Sequence, residues 1–359
     1  MSINKKSTIV SAVLASSVLL SGCGLFGSGG KEKVDPPQSV TYTDDDTAVT
    51  EETANTETGT DTSGSEEAVN GKIYTELYLI NKDGLVVPQT LELPKKESVA
   101  TQALEYLVKG GPVTEMLPND FMAVLPTDTK LSVNIKDKVA TVDFSKEFKD
   151  YPVEEEMKIL QAVTWTLTQF DSVDKVKFQL NGNDLKEMPV GGTPIGEYYS
   201  RENGINIDTI DVVDMNNTKP VTVYYIGGSE GSYYYVPVTK RVSNNEKNDY
   251  KAVVNELIKG PSYVSNLDSE FLSDVKLLDD PKIENGKITL NFNEALYSSF
   301  EEKIISEHLL NALVLSLTEQ KDIERVAITV DGKAELVNEK GEKITEPVAR
   351  PEKVNTGSF

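Results

Sequence analysis

The hydrophobic pattern in the middle of the chain alternates between the two-residue period of strands and the 3.6-residue period of helices. Lys72–Ile80 and Leu85–Leu93 alternate, which predicts a hairpin of two strands. The amphipathic stretch Ser98–Lys109 predicts a helix that Ser98 caps and that the following glycines and proline end. A second hairpin is predicted at Leu131–Ile135 and Val139–Phe144, with its turn at Lys136-Asp137-Lys138, and Asn285-Gly286 marks a corresponding turn further along the chain.

A longer helix and a closing strand complete this unit. Large apolar residues recur at the spacing of one helix face: Met157, Leu160, Val163, Leu167 and Phe170. Val176–Leu180 then predicts a strand. Together these elements predict an α+β unit, a small mixed or antiparallel sheet with two helices packed on one of its faces.

The same pattern occurs twice along the chain. A shift of 150 residues places Leu107–Gly110 on Leu257–Gly260 and Gln161–Gly182 on Asn311–Gly332, and the apolar positions match along both segments. A strand between these segments, Ala140–Phe144, matches its counterpart at a shift of 148 residues, which implies short insertions and deletions in loops. A repeat of this length indicates two tandem homologous domains.

The start of the chain contains an export signal. Two lysines precede an apolar run at residues 9–20, which is too short to span a bilayer as a permanent helix. A bacterial lipobox follows: Leu20, Ser21, Gly22 and Cys23. This motif predicts that Cys23 becomes an N-palmitoyl, S-diacylglycerol cysteine, whose acyl chains contribute ~0.8 kcal/mol per buried CH₂ to membrane binding. A plain secretory signal with a chance cysteine is the alternative.

The composition excludes several kinds of site. Cys23 is the only cysteine and His308 the only histidine, which excludes disulfides, Cys-ligated zinc and multi-histidine metal sites. The net charge of −22 argues against binding to nucleic acid. Residues 24–70 contain eleven acidic residues against two lysines, which favours an extended, solvated linker. We expect no cofactor and no metal.

These observations divide the chain into five parts. The predicted parts are a signal peptide (1–22), the lipidated cysteine with its acidic linker (23–70), a first domain (71–206), an inter-domain linker (207–219) and a second domain (220–359).

The lipobox, the acidic linker and the duplicated domain together resemble the GerM family of bacterial spore germination lipoproteins. Both copies carry the motif Leu-Val/Ile-Lys-Gly followed by proline, and both end on a proline-containing segment that reaches an asparagine, Pro194–Asn206 and Pro347–Asn355. The resemblance covers residues 72–359 and the anchor. It implies that each copy is a sporulation and spore germination domain, which is similar to the ring-building modules of secretion systems.

The resemblance also implies a function. A member of this family is expected to be a non-catalytic factor in spore formation and germination, bound to the outer face of the cell membrane between mother cell and forespore. There it would assemble or anchor the mother cell–forespore channel through contacts with envelope proteins. A peptidoglycan-binding module is the alternative, followed by a hydrolase of the spore cortex.

One enzyme motif is present. Gly227–Gly231 matches the G-x-S-x-G pattern of serine hydrolases around Ser229, and His308 lies downstream. A nucleophile elbow joins a strand to a helix, whereas both flanks here are strand-like. The segment is therefore predicted to be a hairpin loop, and no catalytic residue is expected.

The densest aromatic cluster is a candidate interaction surface. It consists of Tyr224, Tyr225, Tyr233, Tyr234 and Tyr235. Strand alternation would expose roughly half of these side chains, and exposed tyrosines anchor protein partners or glycans. Ordinary strand propensity is the alternative explanation. Trp165, on the long helix of the first copy, is expected to lie in the core.

Overall fold

The two copies fold into two similar sets of strands and helices. A computed structural model of the chain describes residues 71–212, 214–229, 231–320 and 322–356. The elements of the first domain are β1 (Lys72–Asn81), β2 (Val86–Pro94), α1 (Val99–Glu105), β3 (Phe121–Met122), β4 (Leu131–Lys136), β5 (Val139–Phe144), α2 (Glu156–Leu167), β6 (Lys175–Leu180) and β7 (Asn183–Asp184).

The strands of the first domain form two sheets. One is antiparallel with the order β2-β1-β3, and the other has the order β4-β5-β6-β7. In the second sheet β5 and β6 are parallel, a pairing that requires a crossover connection, and α2 supplies it. Helix α2 contacts β1 and β2 of one sheet and β6 of the other. This position between two sheets explains why all but two of its twelve residues are buried.

The second domain repeats this arrangement. Its elements are β8 (Thr218–Gly227), β9 (Tyr234–Ser243), α3 (Asp249–Lys259), β10 (Lys282–Glu284), β11 (Lys287–Phe292), α4 (Glu307–Thr318), β12 (Arg325–Val330), β13 (Leu336–Val337), β14 (Lys343–Ile344) and β15 (Val348–Ala349). The hairpin β8–β9 corresponds to β1–β2, and a sheet of order β10-β11-β12-β15 corresponds to the second sheet. Here α4 connects the parallel strands β11 and β12.

The structure confirms the predicted fold class and refines it in two places. Instead of one sheet per domain, the described strands of the first domain lie in two sheets and those of the second in three, since β13 and β14 form a separate pair. The predicted helix 98–109 ends at Glu105, and the Ser98 side chain makes no capping hydrogen bond. The two predicted hairpin turns are present: Asp137 and Lys138 have φ of 51° and 61°, and Asn285 and Gly286 have φ of 50° and 74°, as a two-residue hairpin turn requires.

A buried carboxylate fixes a loop of the first domain to the start of α2. Glu156 is 1% exposed, and its oxygens accept hydrogen bonds from the backbone N–H groups of Val190, Gly191 and Thr193 and from the hydroxyls of Thr193 and Tyr151. Burial disfavours the charge, but these donors outweigh it and lower the pKa of Glu156 to about 2. The ionised carboxylate therefore stabilises the folded state.

One large core extends through both domains. Buried side chains from both domains, from Ile73 to Leu336, belong to a single hydrophobic cluster. Contact between the domains occurs in part between the strands β2 and β9. The two copies therefore form one body, and the junction between them is the most distinctive feature of the fold.

Candidate functional site

An asparagine side chain from the end of the first domain joins β2 to β9. Asn206 Oδ1 accepts a hydrogen bond from the N–H of Val86 (2.8 Å), and Asn206 Nδ2 donates to the carbonyl of Val86 (2.7 Å). The same Nδ2 also donates across the junction to the carbonyl of Pro237 on β9 (2.8 Å). One amide therefore satisfies backbone groups of both domains.

A second asparagine makes the reciprocal contacts. Asn355 Oδ1 accepts from the N–H of Tyr235 (2.8 Å), and Asn355 Nδ2 donates to the carbonyls of Tyr235 (2.9 Å) and Pro88 (2.8 Å). Asn355 lies 149 positions after Asn206. Its partners correspond in the same way, since Tyr235 lies 149 positions after Val86 and Pro237 lies 149 positions after Pro88. Reciprocal contacts of this kind define an isologous interface, here with pseudo-two-fold symmetry inside one chain.

The final segments of the two domains are exchanged across this interface. Ile205, at the end of the first domain, donates its N–H to Thr239 Oγ1 (2.9 Å) on β9 and accepts from the N–H of Thr239 (2.8 Å). Val354, at the end of the second, pairs in the same way with Thr90 on β2, at 2.9 and 3.1 Å. Each domain therefore holds the terminal segment of the other.

Four charged side chains meet at the centre of the junction. Arg201 pairs with Glu319, and Arg350 lies 3.7 Å from Glu319 and 3.9 Å from Glu76. The guanidinium carbon of Arg201 lies 4.3 Å from the centre of the Trp165 ring, a cation–π contact. These pairs connect the end of each domain to the body of the other.

The charged state of this cluster is stable. Burial opposes the charge of Arg201, but attraction to Glu319 outweighs it and raises the pKa of Arg201 further above its usual value. Burial and then the nearby Glu319 carboxylate raise the pKa of Tyr224, whose hydroxyl donates to Glu319 (3.1 Å). The side chain of Glu319 is only 7% exposed. The cluster is thus paired internally and is suited to holding the domains together.

A cleft of about 1180 Å³ opens beside the cluster, between the two domains. Trp165, Arg201 and Arg350 line it, and its other walls combine polar and apolar side chains. Six further acidic residues lie at its wall: Asp171, Asp174, Glu202, Asp249, Asp322 and Glu352. Within the described ranges, no group of three or more histidine, aspartate or glutamate side chains is arranged to hold a metal ion.

The tyrosine cluster does not form an exposed surface. Of the five residues, Tyr224, Tyr225 and Tyr234 are buried, Tyr235 is half-buried and Tyr233 is exposed at 41%. The expectation that strand alternation exposes roughly half of these side chains is therefore not met, because both faces of the β8–β9 hairpin are covered.

Different parts of the chain cover the two faces of the β8–β9 hairpin. Helices α3 and α4 pack against β8. On β9, Tyr234 accepts a hydrogen bond from Asn81 Nδ2 (3.0 Å) and packs edge-on against Phe121 (5.2 Å between ring centres), both in the first domain. The cluster thus contacts the chain's own first domain.

The G-x-S-x-G segment is a hairpin loop, as predicted. It follows β8 and precedes β9, two antiparallel strands, so no helix follows Ser229. The His308 ring instead meets tyrosines: Nδ1 lies 3.1 Å from the Tyr235 hydroxyl, and the Tyr233 ring packs edge-on at 5.0 Å. Trp165 is fully buried, as expected.

The predicted lipid anchor lies outside the described residues. This applies to Leu20, Ser21, Gly22 and Cys23 and to the acidic linker. None of the helices in the described part of the chain combines the length and apolar character needed to cross a bilayer.

Sequence reasoning missed the residues that hold the domains together. It noted that both copies end on an asparagine, but it assigned no role to Asn206 or Asn355. The available signal was a repeated spacing, because Arg201 precedes Asn206 by five positions and Arg350 precedes Asn355 by five positions.

The fold and its junction define a class of protein built from two fused, homologous α/β modules. A family model described as "Germane: Sporulation and spore germination" matches residues 76–186 and 222–336. The chain is 56% identical over 353 residues to the spore germination protein GerM of Bacillus subtilis (strain 168), covering 96% of each chain. The chain therefore belongs to the GerM family of sporulation and spore germination proteins.

A solved structure supports the fold assignment. The tandem GerMN domains of the sporulation protein GerM from B. subtilis match with a TM-score of 0.75 at 59% identity, over 79% of this chain and 99% of that chain. The two domains of this protein are thus tandem GerMN domains.

Proposed function

We propose that this protein is a non-catalytic lipoprotein that serves spore formation and germination by assembling or anchoring an envelope complex, the channel between mother cell and forespore. The observation that carries the proposal is the junction itself. The charged and amide side chains at its centre are engaged in contacts between the domains, such as Asn206 with Pro237 and Arg201 with Glu319. A body held together in this way presents fixed outer surfaces, which suits a protein that works by contact.

The proposed location is the outer face of the cell membrane. The lipidated Cys23 would be the anchor, and the 47 residues from 24 to 70 the tether. As a flexible coil, a tether of this length would span ~35–40 Å on root-mean-square average, and its negative charge would extend it further. The tether would let the folded domains reach envelope proteins that stand off the membrane surface.

The anchor is tested by Cys23→Ala in the full chain. We expect this variant to leave the membrane fraction of sporulating cells for the soluble fraction. The matched control is Ser16→Ala, which changes the apolar run but keeps the cysteine, and it should stay with the membrane. Full retention of Cys23→Ala in the membrane would refute the lipid anchor.

The contact function is tested by chemical cross-linking in sporulating cells, followed by identification of the cross-linked proteins. We expect envelope proteins of the channel complex to be captured by the anchored chain and lost with Cys23→Ala. Sedimentation with insoluble peptidoglycan provides the opposing test, because a scaffold that binds only proteins stays in the supernatant. Loss of sporulation in Ser229→Ala with His308→Ala, in a protein that remains folded, would favour the hydrolase instead.

A further inference from the structure

Three asparagine–glycine dipeptides lie wholly within the described residues: Asn181-Gly182, Asn203-Gly204 and Asn285-Gly286. A fourth, Asn70-Gly71, begins outside them. Such dipeptides are chemically labile, because a glycine has no side chain to keep its backbone nitrogen away from the amide carbon of the preceding asparagine. The attack requires that the peptide group between the two residues turn towards the side chain. The contacts of each dipeptide therefore decide whether it is able to react.

Hydrogen bonds restrain the first two dipeptides. The N–H of Gly182 donates to Asp143 Oδ1 (2.8 Å). The N–H of Gly204 donates to a carbonyl three residues earlier (2.9 Å), and Asn203 Oδ1 accepts a hydrogen bond from the N–H of Ser200 (2.8 Å). These bonds fix the plane of the peptide group that has to turn, so they must open before the glycine nitrogen reaches the asparagine side chain.

The third dipeptide has no such restraint. Asn285-Gly286 is the two-residue turn between β10 and β11, and Asn285 is exposed. Within the part of the chain that the structure describes, neither the Asn285 side chain nor the N–H of Gly286 has a hydrogen-bond partner. The strand β10 has only three residues, all exposed, and lies at the edge of its sheet, so the hairpin opens locally at small cost.

We propose that Asn285 is a site of spontaneous deamidation, a modification that is independent of the function proposed above. The Gly286 nitrogen forms a bond to Cγ of Asn285, the bond from Cγ to the side-chain nitrogen breaks, and ammonia leaves with the proton that the glycine nitrogen gives up. Water then opens the resulting succinimide ring at either carbonyl and leaves aspartate or isoaspartate. The corresponding turn of the first domain is Asp137-Lys138, which lacks this dipeptide.

The modification changes the charge and the backbone length of the β10–β11 turn. The new carboxylate adds to a net charge of −22, and a like charge is already close, since Glu324 Cδ lies 3.2 Å from the position that a Cβ on Gly286 would take. Isoaspartate inserts one methylene into a turn whose residues have φ of 50° and 74°. The Gly286 carbonyl accepts hydrogen bonds from the N–H groups of Glu324 (2.7 Å) and Arg325 (3.1 Å), so a displaced turn loosens the hairpin from β12.

The proposal is tested by ageing the purified full chain at mildly alkaline pH and measuring the conversion of each asparagine by peptide mass spectrometry. In the folded protein we expect Asn285 to convert roughly five- to tenfold faster than Asn181 or Asn203, the effect of about one hydrogen bond that has to open first. In urea, where these hydrogen bonds are absent, the three rates should converge. An unchanged Asn285 in the folded protein, or the same ranking of rates in urea as in the folded protein, would overturn the proposal.

Two variants separate this chemistry from a general loss of structure. Asp143→Ala removes the acceptor of the Gly182 N–H, so it should raise the rate at Asn181 towards that at Asn285 and leave Asn285 unchanged. Asn285→Gln should stop the conversion at position 285, because the longer side chain closes a ring less readily. On ageing, amide hydrogen exchange at residues 282–289 should rise in the parent chain and stay constant in Asn285→Gln. An equal rise in both chains, or no acceleration at Asn181 in Asp143→Ala, would contradict the proposal.

Discussion

Replacement of Asn355 by alanine should destabilise the whole folded body, because this side chain joins the two domains. Three hydrogen bonds would be lost, to the N–H and carbonyl of Tyr235 and to the carbonyl of Pro88. Asn355 is 9% exposed, so water replaces these partners poorly. The backbone matters as well, since Asn355 has φ of 57°, a conformation that asparagine tolerates better than alanine.

The expected magnitude follows from these two terms. Leaving buried backbone groups without partners costs about 1–3 kcal/mol, and placing alanine in the left-handed region costs about 1–2 kcal/mol. We therefore expect Asn355→Ala to lower the free energy of unfolding by about 2–5 kcal/mol. Asn355→Gly removes the hydrogen bonds without the backbone cost, so it should be milder by about 1 kcal/mol.

Urea unfolding, followed by tryptophan fluorescence and by circular dichroism, measures the free energy of unfolding of the parent chain and of both variants. The difference between the alanine and glycine variants then gives the backbone cost. Trp165 reports on the junction, since it packs under Arg201, while circular dichroism reports on all helices. In the parent chain the two signals should change together. In Asn355→Ala, and in Asn206→Ala as its symmetric counterpart, both midpoints should fall. A change below about 0.5 kcal/mol in both variants would show that the asparagines do not hold the domains together.

Other contacts give further tests. Glu156→Gln should destabilise the protein at pH 7 by up to about 3 kcal/mol, because a shift of the carboxyl pKa from 4.5 to about 2 is worth ~1.4 kcal/mol per unit. Because the pKa of Glu156 is lowered in the folded state, the stabilisation from its carboxylate is complete above pH ~4.5 and is lost as the pH falls towards 2. In urea unfolding, the difference in free energy of unfolding between the parent chain and Glu156→Gln should therefore be smaller at pH 3 than at pH 7. Gly191→Ala should destabilise the fold by about 1–3 kcal/mol, measured as a lower melting temperature, because the new Cβ would lie 2.2 Å from Val153 Cγ2. The control Gly71→Ala, whose new Cβ would lie 3.4 Å from its nearest neighbour, should leave the melting temperature unchanged. Arg201→Met should cost about 3–5 kcal/mol by leaving Glu319 without its main partner, and adding Glu319→Gln should recover part of this loss in thermal melting.

The sequence predicted elements well where a local pattern decides the structure. The hairpin turns at Asp137-Lys138 and Asn285-Gly286 follow from turn chemistry, and the long helix α2 follows from its apolar period. The division of each domain's strands into separate sheets could not be predicted, because it depends on which strands pair at long range. The expected exposure of about half of the tyrosine side chains is not observed for a related reason. Strand alternation exposes side chains only where one face of a sheet is open, whereas both faces of the β8–β9 hairpin are covered.

The comparison of the two copies shows where a partner is able to distinguish them. At the junction several contact residues are identical in the two copies at a shift of 149, as in Thr90 and Thr239, or Asn206 and Asn355. Each such residue meets the other copy across the pseudo-two-fold axis, so a change in one removes a contact of both domains.

Away from the axis the copies differ. Glu156, which binds a loop at the start of α2, is replaced by Ser306, which caps α4 by accepting hydrogen bonds from two backbone N–H groups. A partner that binds a single, defined site on this pseudo-symmetric body must therefore contact the surfaces where the copies differ, because contacts confined to shared features would be offered twice. Variants that exchange exposed residues between the copies outside the junction should alter partner capture while preserving the stability of the fold.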